Sequence, residues 1–159
     1  MKNIQKISNE GVSMKGIYKF TLRDINTGVE KITIVENLIP TVARAAIAMH
    51  LTNVTPSPSA LRITFSALGT GATAPANGDT LLQTETFRKA IASQTNSNNV
   101  AYATAFYTAA EVSGTFTEAG LFIAGSITAN TGTLFSRVAI SITKTLTETL
   151  TIDYTVSIL

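Results

Sequence analysis

Hydrophobic and polar positions alternate with a period of two along most of this chain, which is the pattern of half-buried β-strands. Tyr18-Lys19-Phe20-Thr21-Leu22-Arg23 and Glu30-Lys31-Ile32-Thr33-Ile34 both alternate, and Asp24-Ile25-Asn26-Thr27-Gly28 between them has turn chemistry, so the first pair of strands reads as a hairpin. Further strands are predicted over Leu61 to Leu68, Phe87 to Ser93 and Val100 to Tyr107, and the last two join through the polar turn Thr95-Asn96-Ser97-Asn98-Asn99 as a second hairpin. The final third is nearly all strand: Thr115 to Ile123, Thr133 to Thr143 and Leu146 to Leu159. In the last of these Leu150, Ile152, Tyr154, Val156 and Ile158 alternate with Thr151, Asp153, Thr155 and Ser157, giving one core face and one wet, threonine-rich face.

The period changes once. Thr41 to Met49 is rich in helix formers and sets Leu38, Val42, Ala45 and Met49 on one stripe, with Asn37 or Thr41 as the cap and Pro40 in the first turn. About eight short strands and one helix, with no repeated helical crossovers, predict a mainly β fold: an antiparallel β-sandwich, jelly-roll-like, with one short helix. Residues 1–13 mix Lys, Asn, Ser and Gly without a sustained period and are expected to form an N-terminal arm, leaving 14–159 as a single sandwich domain. The two prolines of Asn53-Val54-Thr55-Pro56-Ser57-Pro58-Ser59 mark an exposed connector within it.

Composition narrows the chemistry. The 159 residues suffice for one domain with a real core. Only 14% are charged, against roughly 25% in an ordinary soluble domain, and the mean hydropathy is +0.25. A surface this poor in charge is expected to be covered in part by a partner, and a homo-oligomer satisfies that need. Net charge is +2, but the basic residues are scattered and Arg88-Lys89 is the only adjacent pair, so no nucleic-acid stripe is expected. Apolar runs fall well short of the ~18 residues of a membrane span, and Met1-Lys2-Asn3-Ile4-Gln5-Lys6 lacks a hydrophobic signal core, which predicts no membrane association and synthesis in a cytoplasm. With no cysteine there is neither a disulfide framework nor a thiolate site.

Each candidate for chemistry has a simpler structural reading. Leu68-Gly69-Thr70-Gly71 leads through Pro75 to Asp79-Thr80, but it lacks the Lys-Ser/Thr of a phosphate-binding loop and the three glycines of a dinucleotide turn. The sequence therefore predicts a structural corner: Gly69 and Gly71 take positive φ at a strand end, Pro75 stiffens the loop, and Asp79 caps the turn Thr80-Leu81-Leu82. His50, the single histidine, lies near the helix end with no carboxylate three or four residues on to complete a metal pair, so no metal or cofactor is expected. No serine occupies a Gly-x-Ser-x-Gly elbow. Glu85, Glu111, Glu118 and Asp153 are the carboxylates from which a glycosidic pair would have to be drawn. Glu118 sits in apolar strand sequence and calls for a cation, for which Arg137 is the candidate, so the pair is expected to be structural and the chain non-enzymatic. Asn53-Val54-Thr55 has the form of a glycosylation acceptor, but a chain without a secretory signal has no use for one.

Three blocks carry a resemblance: Ala67-Leu68-Gly69-Thr70-Gly71 through Ala74-Pro75 to Asp79-Thr80, with Leu82, Glu85 and Arg88; Thr117-Glu118-Ala119-Gly120-Leu121-Phe122; and Leu134-Phe135-Ser136-Arg137-Val138 with Lys144. In that order they resemble small structural proteins of tailed-bacteriophage virions, of the tail-fibre, baseplate and capsid-decoration kinds, over roughly residues 30 to 159. The resemblance implies a non-enzymatic role in the virion, other virion proteins as partners, and a homo-oligomer, by preference a homotrimer. Fibre proteins continue into repeats or a tip domain, so a sequence ending at Leu159 points to an adaptor, a baseplate component or a capsid decoration. A host-attachment module that binds surface glycans is the alternative.

Overall fold

The computed structural model describes residues 12–52 and 61–159. Most of the expected N-terminal arm, the proline-rich connector and the Asn53-Val54-Thr55 acceptor lie outside the described residues. Within them the chain forms β1 (Met14–Asp24), β2 (Glu30–Glu36), α1 (Thr41–Leu51), β3 (Ile63–Gly69), β4 (Glu85–Ala90), β5 (Ser93–Ser97), β6 (Val100–Tyr107), β7 (Gly114–Ile123), β8 (Thr133–Lys144) and β9 (Glu148–Ile158). Two antiparallel sheets pack face to face, one ordered β2-β1-β9-β6-β5 and the other β4-β3-β7-β8. The chain fills them by hairpins: β1–β2 in the first sheet, β3–β4 in the second, β5–β6 in the first, β7–β8 in the second. Strand β9 then returns to the middle of the first, between β1 and β6. The expected sandwich with one short helix is present, its nine strands split five and four where a jelly roll has eight.

The alternation in β1 and β9 places Tyr18, Phe20 and Leu22 beside Tyr154, Ile152 and Leu150, directly opposite one another in register. All six are buried and face Leu121, Ile123, Phe135 and Val138 of the second sheet. Tyr18 stacks on Phe20 with centroids 5.4 Å apart, and Phe135 meets Tyr154 edge-on at 6.1 Å. The Tyr18 hydroxyl closes its polar account on Ser136 Oγ across the sandwich. At Gly16 an added Cβ would collide with the Asn37 amide and the Tyr154 hydroxyl, so that strand position must stay bare.

The second hairpin differs from the sequence expectation. Phe87 to Ser93 is not one strand facing Val100 to Tyr107: β4 pairs with β3, residues 91–92 cross between the sheets, and a separate strand β5 pairs with β6. Strand β5, Ser-Gln-Thr-Asn-Ser, is wholly exposed at a sheet edge, so it carries no hydrophobic alternation to read. The helix also differs in phase. Ala43 is its buried residue, Ala46 and Ile47 pack on the main core and Val42 on a second cluster, whereas Ala45 and Met49 of the predicted stripe are exposed. Pro40 occupies the cap position, and neither Asn37 nor Thr41 caps with its side chain. The cap is supplied from a distant loop: Thr41 N donates to Asn77 O (2.9 Å), and Arg44 Nη2 to Asn77 Oδ1 (3.0 Å).

Leu121, fully buried where β7 meets the first sheet, tests this core. Leu121→Ala is expected to cost about 2–5 kcal/mol through lost burial and the cavity left behind, read as a lower denaturant midpoint at unchanged slope.

Candidate functional site: an ion-paired clasp and an open sheet face

The second sheet is buried on its inner face and over part of its outer one, where Thr115, Ala139, Ser141 and Thr143 remain exposed. Its inner face packs on the first sheet, and its outer face holds a smaller cluster of Ala67, Leu82, Phe122 and Leu134, with Val42 and Phe65 against it. Two loops cover that part of the outer face, residues 70–84 and residues 124–132, and each is fastened by a buried arginine.

Arg137 on β8 fastens the first loop. Its Nε and Nη2 donate to Glu118 Oε2 at 3.0 and 2.9 Å, Nη1 reaches Asp79 Oδ2 at 2.7 Å, and Nη2 also donates to Thr73 O at 3.1 Å. Glu118 on β7 is itself almost fully buried and collects three backbone N–H groups of the loop: Gly71 (3.0 Å) and Thr84 (2.7 Å) on Oε1, Gln83 (3.0 Å) on Oε2. Thr117 Oγ1 adds a bond to Gly71 O at 2.8 Å. A buried carboxylate with a guanidinium and three amides on it is satisfied, and so are the three amides.

The structural corner is therefore built differently from the sequence reading. Gly69 and Gly71 are not among the positive-φ glycines, which among the described residues are Gly28, Gly114 and Gly132. They are required by proximity: a Cβ on Gly69 would stand 2.5 Å from Thr84 O and 2.7 Å from Glu118 Oε1, and one on Gly71 would strike Glu118 Oε1 and Gln83. Asp79 does not cap Thr80-Leu81-Leu82; its Oδ2 accepts from Ala76 N (2.8 Å), upstream of it, and from Arg137. Pro75 lies half-buried in the same loop. Gly120 leaves room for Leu82, whose Cδ2 would lie 2.9 Å from an added Cβ.

Arg88 on β4 fastens the second loop in the same manner. Nε and Nη2 take Glu85 Oε1 and Oε2 at 2.6 and 2.8 Å, a two-pronged pair, while Nη1 donates to Ser126 O and Thr131 O at 3.0 Å each. The guanidinium lies 4.4 Å from the Phe122 ring centroid. Sequence reasoning missed this pair, because residues three apart on a regular strand point to opposite faces. A bulge explains it: Gly69 pairs with Glu85 but Leu68 with Phe87, and the extra residue turns Glu85 onto the face of Arg88. Lys144, also buried, donates to the carbonyls of Ala109, Glu111, Val112 and Thr145 at 3.2, 2.9, 3.0 and 3.3 Å, tying the β6–β7 connection to the end of β8.

The four carboxylates considered for hydrolysis are all engaged: Glu118 by Arg137, Glu85 by Arg88, Glu111 by Lys89 at 2.6 Å, and Asp153 by the Thr104 hydroxyl at 2.8 Å. His50 lies in the last turn of α1. Among the described residues no three His, Cys, Asp or Glu side chains are grouped to hold a metal ion, and no helix is long and apolar enough to cross a membrane.

The outer face of the first sheet is open. Register places Ile34, Lys19, Asp153 and Thr104 in one row across it and Ile32, Thr21, Thr151 and Phe106 in the next. Ile32 and Ile34 are 53% and 66% exposed, and Tyr102 and Phe106 40% each, amid threonine hydroxyls from β9. No family model, curated protein or solved structure matches this chain.

Two predictions follow from the clasp. Arg137→Met is expected to cost about 3–5 kcal/mol, since it leaves the buried Glu118 carboxylate without its countercharge, and Glu118→Gln less, since Arg137 keeps Asp79. The double variant should cost clearly less than their sum, and strict additivity in the denaturation cycle would show the two side chains to be independent. The second concerns acid. Ala76 N–H and Arg137 outweigh the opposing effect of burial and hold the Asp79 carboxyl below its usual range; Lys89 does so for Glu111, and Thr145 N–H for Glu148. Folded values below unfolded ones mean that the unfolded chain binds more protons as pH falls. Melting temperature is expected to hold steady from neutrality to about pH 5 and to fall progressively below that, as unfolded Asp and Glu protonate before their folded counterparts.

Proposed function

We propose that this chain is a non-enzymatic assembly module of a tailed-bacteriophage particle, acting as a homo-oligomer in the tail, as a fibre or baseplate adaptor, or on the capsid surface as a decoration. The observation that carries this reading is the contrast between the two sheets. The second has an apolar cluster covered on its outer face and exposes there small and hydroxyl-bearing residues such as Thr115, Ala139, Ser141 and Thr143, while the first presents a broad face with Ile32, Ile34, Tyr102 and Phe106 in contact with water. An exposed apolar face rimmed by polar groups suits contact with another protein surface. The structural engagement of Glu85, Glu111, Glu118 and Asp153 supports a role without catalysis. The placement in a virion and the preference for three copies rest on the resemblance of the three blocks, whose Gly71, Glu118 and Arg137 meet in one clasp while Arg88 and Lys144 hold other segments.

One feature favours the alternative, host-glycan binding. Between the start of β3 and the β5–β6 hairpin a cavity of about 360 Å³ sets Arg62, Gln94, Thr95, Asn96 and Tyr102 beside the apolar Leu61, Ile63, Ala101 and Ala103, so amide, hydroxyl and guanidinium groups stand next to an aromatic ring.

Sedimentation equilibrium of the pure protein is expected to return three copies. The pair Ile34→Lys and Phe106→Lys should shift it to a single copy with the melting temperature almost unchanged, since both side chains are exposed. A monomer at every concentration, together with absence of the protein from purified particles by immuno-electron microscopy, would overturn the reading. Binding of oligosaccharides lost on Asn96→Ala would promote the alternative.

A further inference from the structure

The loop held by Arg137 contains the only Asn-Gly dipeptide of the chain, Asn77-Gly78. The two residues form the middle of a turn closed by Asp79 N donating to Ala76 O at 3.1 Å, and both are exposed. Asn77 is also the anchor of α1: its carbonyl accepts from Thr41 N and its side-chain oxygen from Arg44 Nη2 at 3.0 Å.

Three features bear on the reactivity of this amide. Gly78 offers a backbone nitrogen flanked by no side chain, and nothing stands within 4 Å of where its Cβ would be. The Gly78 N–H donates to no acceptor among the described residues. The Arg44 guanidinium sits on the Oδ1 of the very carbonyl whose carbon would be attacked, polarising it and stabilising the oxyanion that attack creates.

We propose that Asn77 is a site of spontaneous, intramolecular deamidation in the folded protein. Gly78 N attacks Asn77 Cγ and a C–N bond forms. The bond from Cγ to the side-chain nitrogen breaks, that nitrogen leaves as ammonia with the Gly78 amide proton, and a five-membered succinimide remains. Water then opens the ring. Attack at Cγ gives aspartate, and attack at the main-chain carbonyl gives isoaspartate, in which the backbone runs through the former side chain and is longer by one carbon. No oxidant, metal or cofactor takes part. Either product puts a carboxylate beside Arg44 at the start of a helix whose first turn has no acidic residue and no side-chain cap. The isoaspartate form also lengthens the backbone between the α1 anchor and Asp79, which Arg137 grips. The modification thus acts on the clasp, slowly and in one direction, and rests on the local geometry whatever the particle or partner.

The test is to age the intact folded protein at mildly alkaline pH and follow residue 77 by peptide mapping, with an isoaspartate methyltransferase to label that product. An Asn77→Asp variant serves as the standard for the added negative charge on ion exchange. The expected result is conversion at residue 77 ahead of every other asparagine, with ammonia released in equal amount. Gly78→Ala, which meets no steric or φ obstacle, should slow conversion about tenfold or more, the factor set by roughly 1.4 kcal/mol of barrier. If residue 77 stays an amide in the folded protein while the urea-unfolded chain converts, the turn holds Gly78 N out of reach and the proposal is wrong. An unchanged rate in Gly78→Ala would equally overturn it.

Discussion

The carboxylate of Glu118 has no water to turn to, and the outer half of the structure is arranged around that fact. A lone buried charge of this kind would cost several kcal/mol. It is tolerated because Arg137 supplies the countercharge and Gly71, Gln83 and Thr84 supply backbone donors. These partners come from two places, the neighbouring strand and a loop distant in sequence, so satisfying one side chain fixes the path of the loop. Once fixed, the loop brings Leu82 onto the sheet over Gly120, places Asp79 on Arg137, and presents Asn77 to α1 as its cap. The helix thus takes its start from the clasp, and this accounts for a helix that has no capping side chain of its own.

Arg88 repeats the device on the adjoining part of the same face. In each case an arginine spends part of its fork on a carboxylate and the rest on loop carbonyls, a use that the single-centred ammonium of lysine does not match. The consequence is a division between the sheets. The four-stranded sheet has the middle of its outer face covered by its loops, and the five-stranded sheet keeps a broad open face.

Much of this fold was legible in the sequence where one face is buried and the other wet. The alternation of β9 and of the β1–β2 hairpin is carried into the structure because each side chain's environment is set by period two alone. The strand β5 was not legible, since an exposed polar edge strand has no alternation, and its presence splits a predicted hairpin between two sheets. The helix stripe was read one residue out of phase because alanines crowd both sides of α1 and its orientation is set by Asn77, outside the helix. At the clasp, Glu118 and Arg137 were visible as charges in apolar strands. The reason for Gly69 and Gly71 was not: it is the nearness of the Glu118 side chain, brought there by tertiary contact, and not a backbone angle. Glu85 with Arg88 was hidden by a bulge, which alters the face of a residue without a sequence mark of its own.

The claim that one carboxylate holds the loop is tested most directly by native-state hydrogen exchange of the amides of Gly71, Gln83 and Thr84. The account predicts that all three exchange only as slowly as the amides of the central strands β7 and β9, through global unfolding, although they lie in or at the end of a loop. Exchange at the rate of the exposed turns, with the core amides still protected, would show that the loop opens on its own and that Glu118 does not hold it.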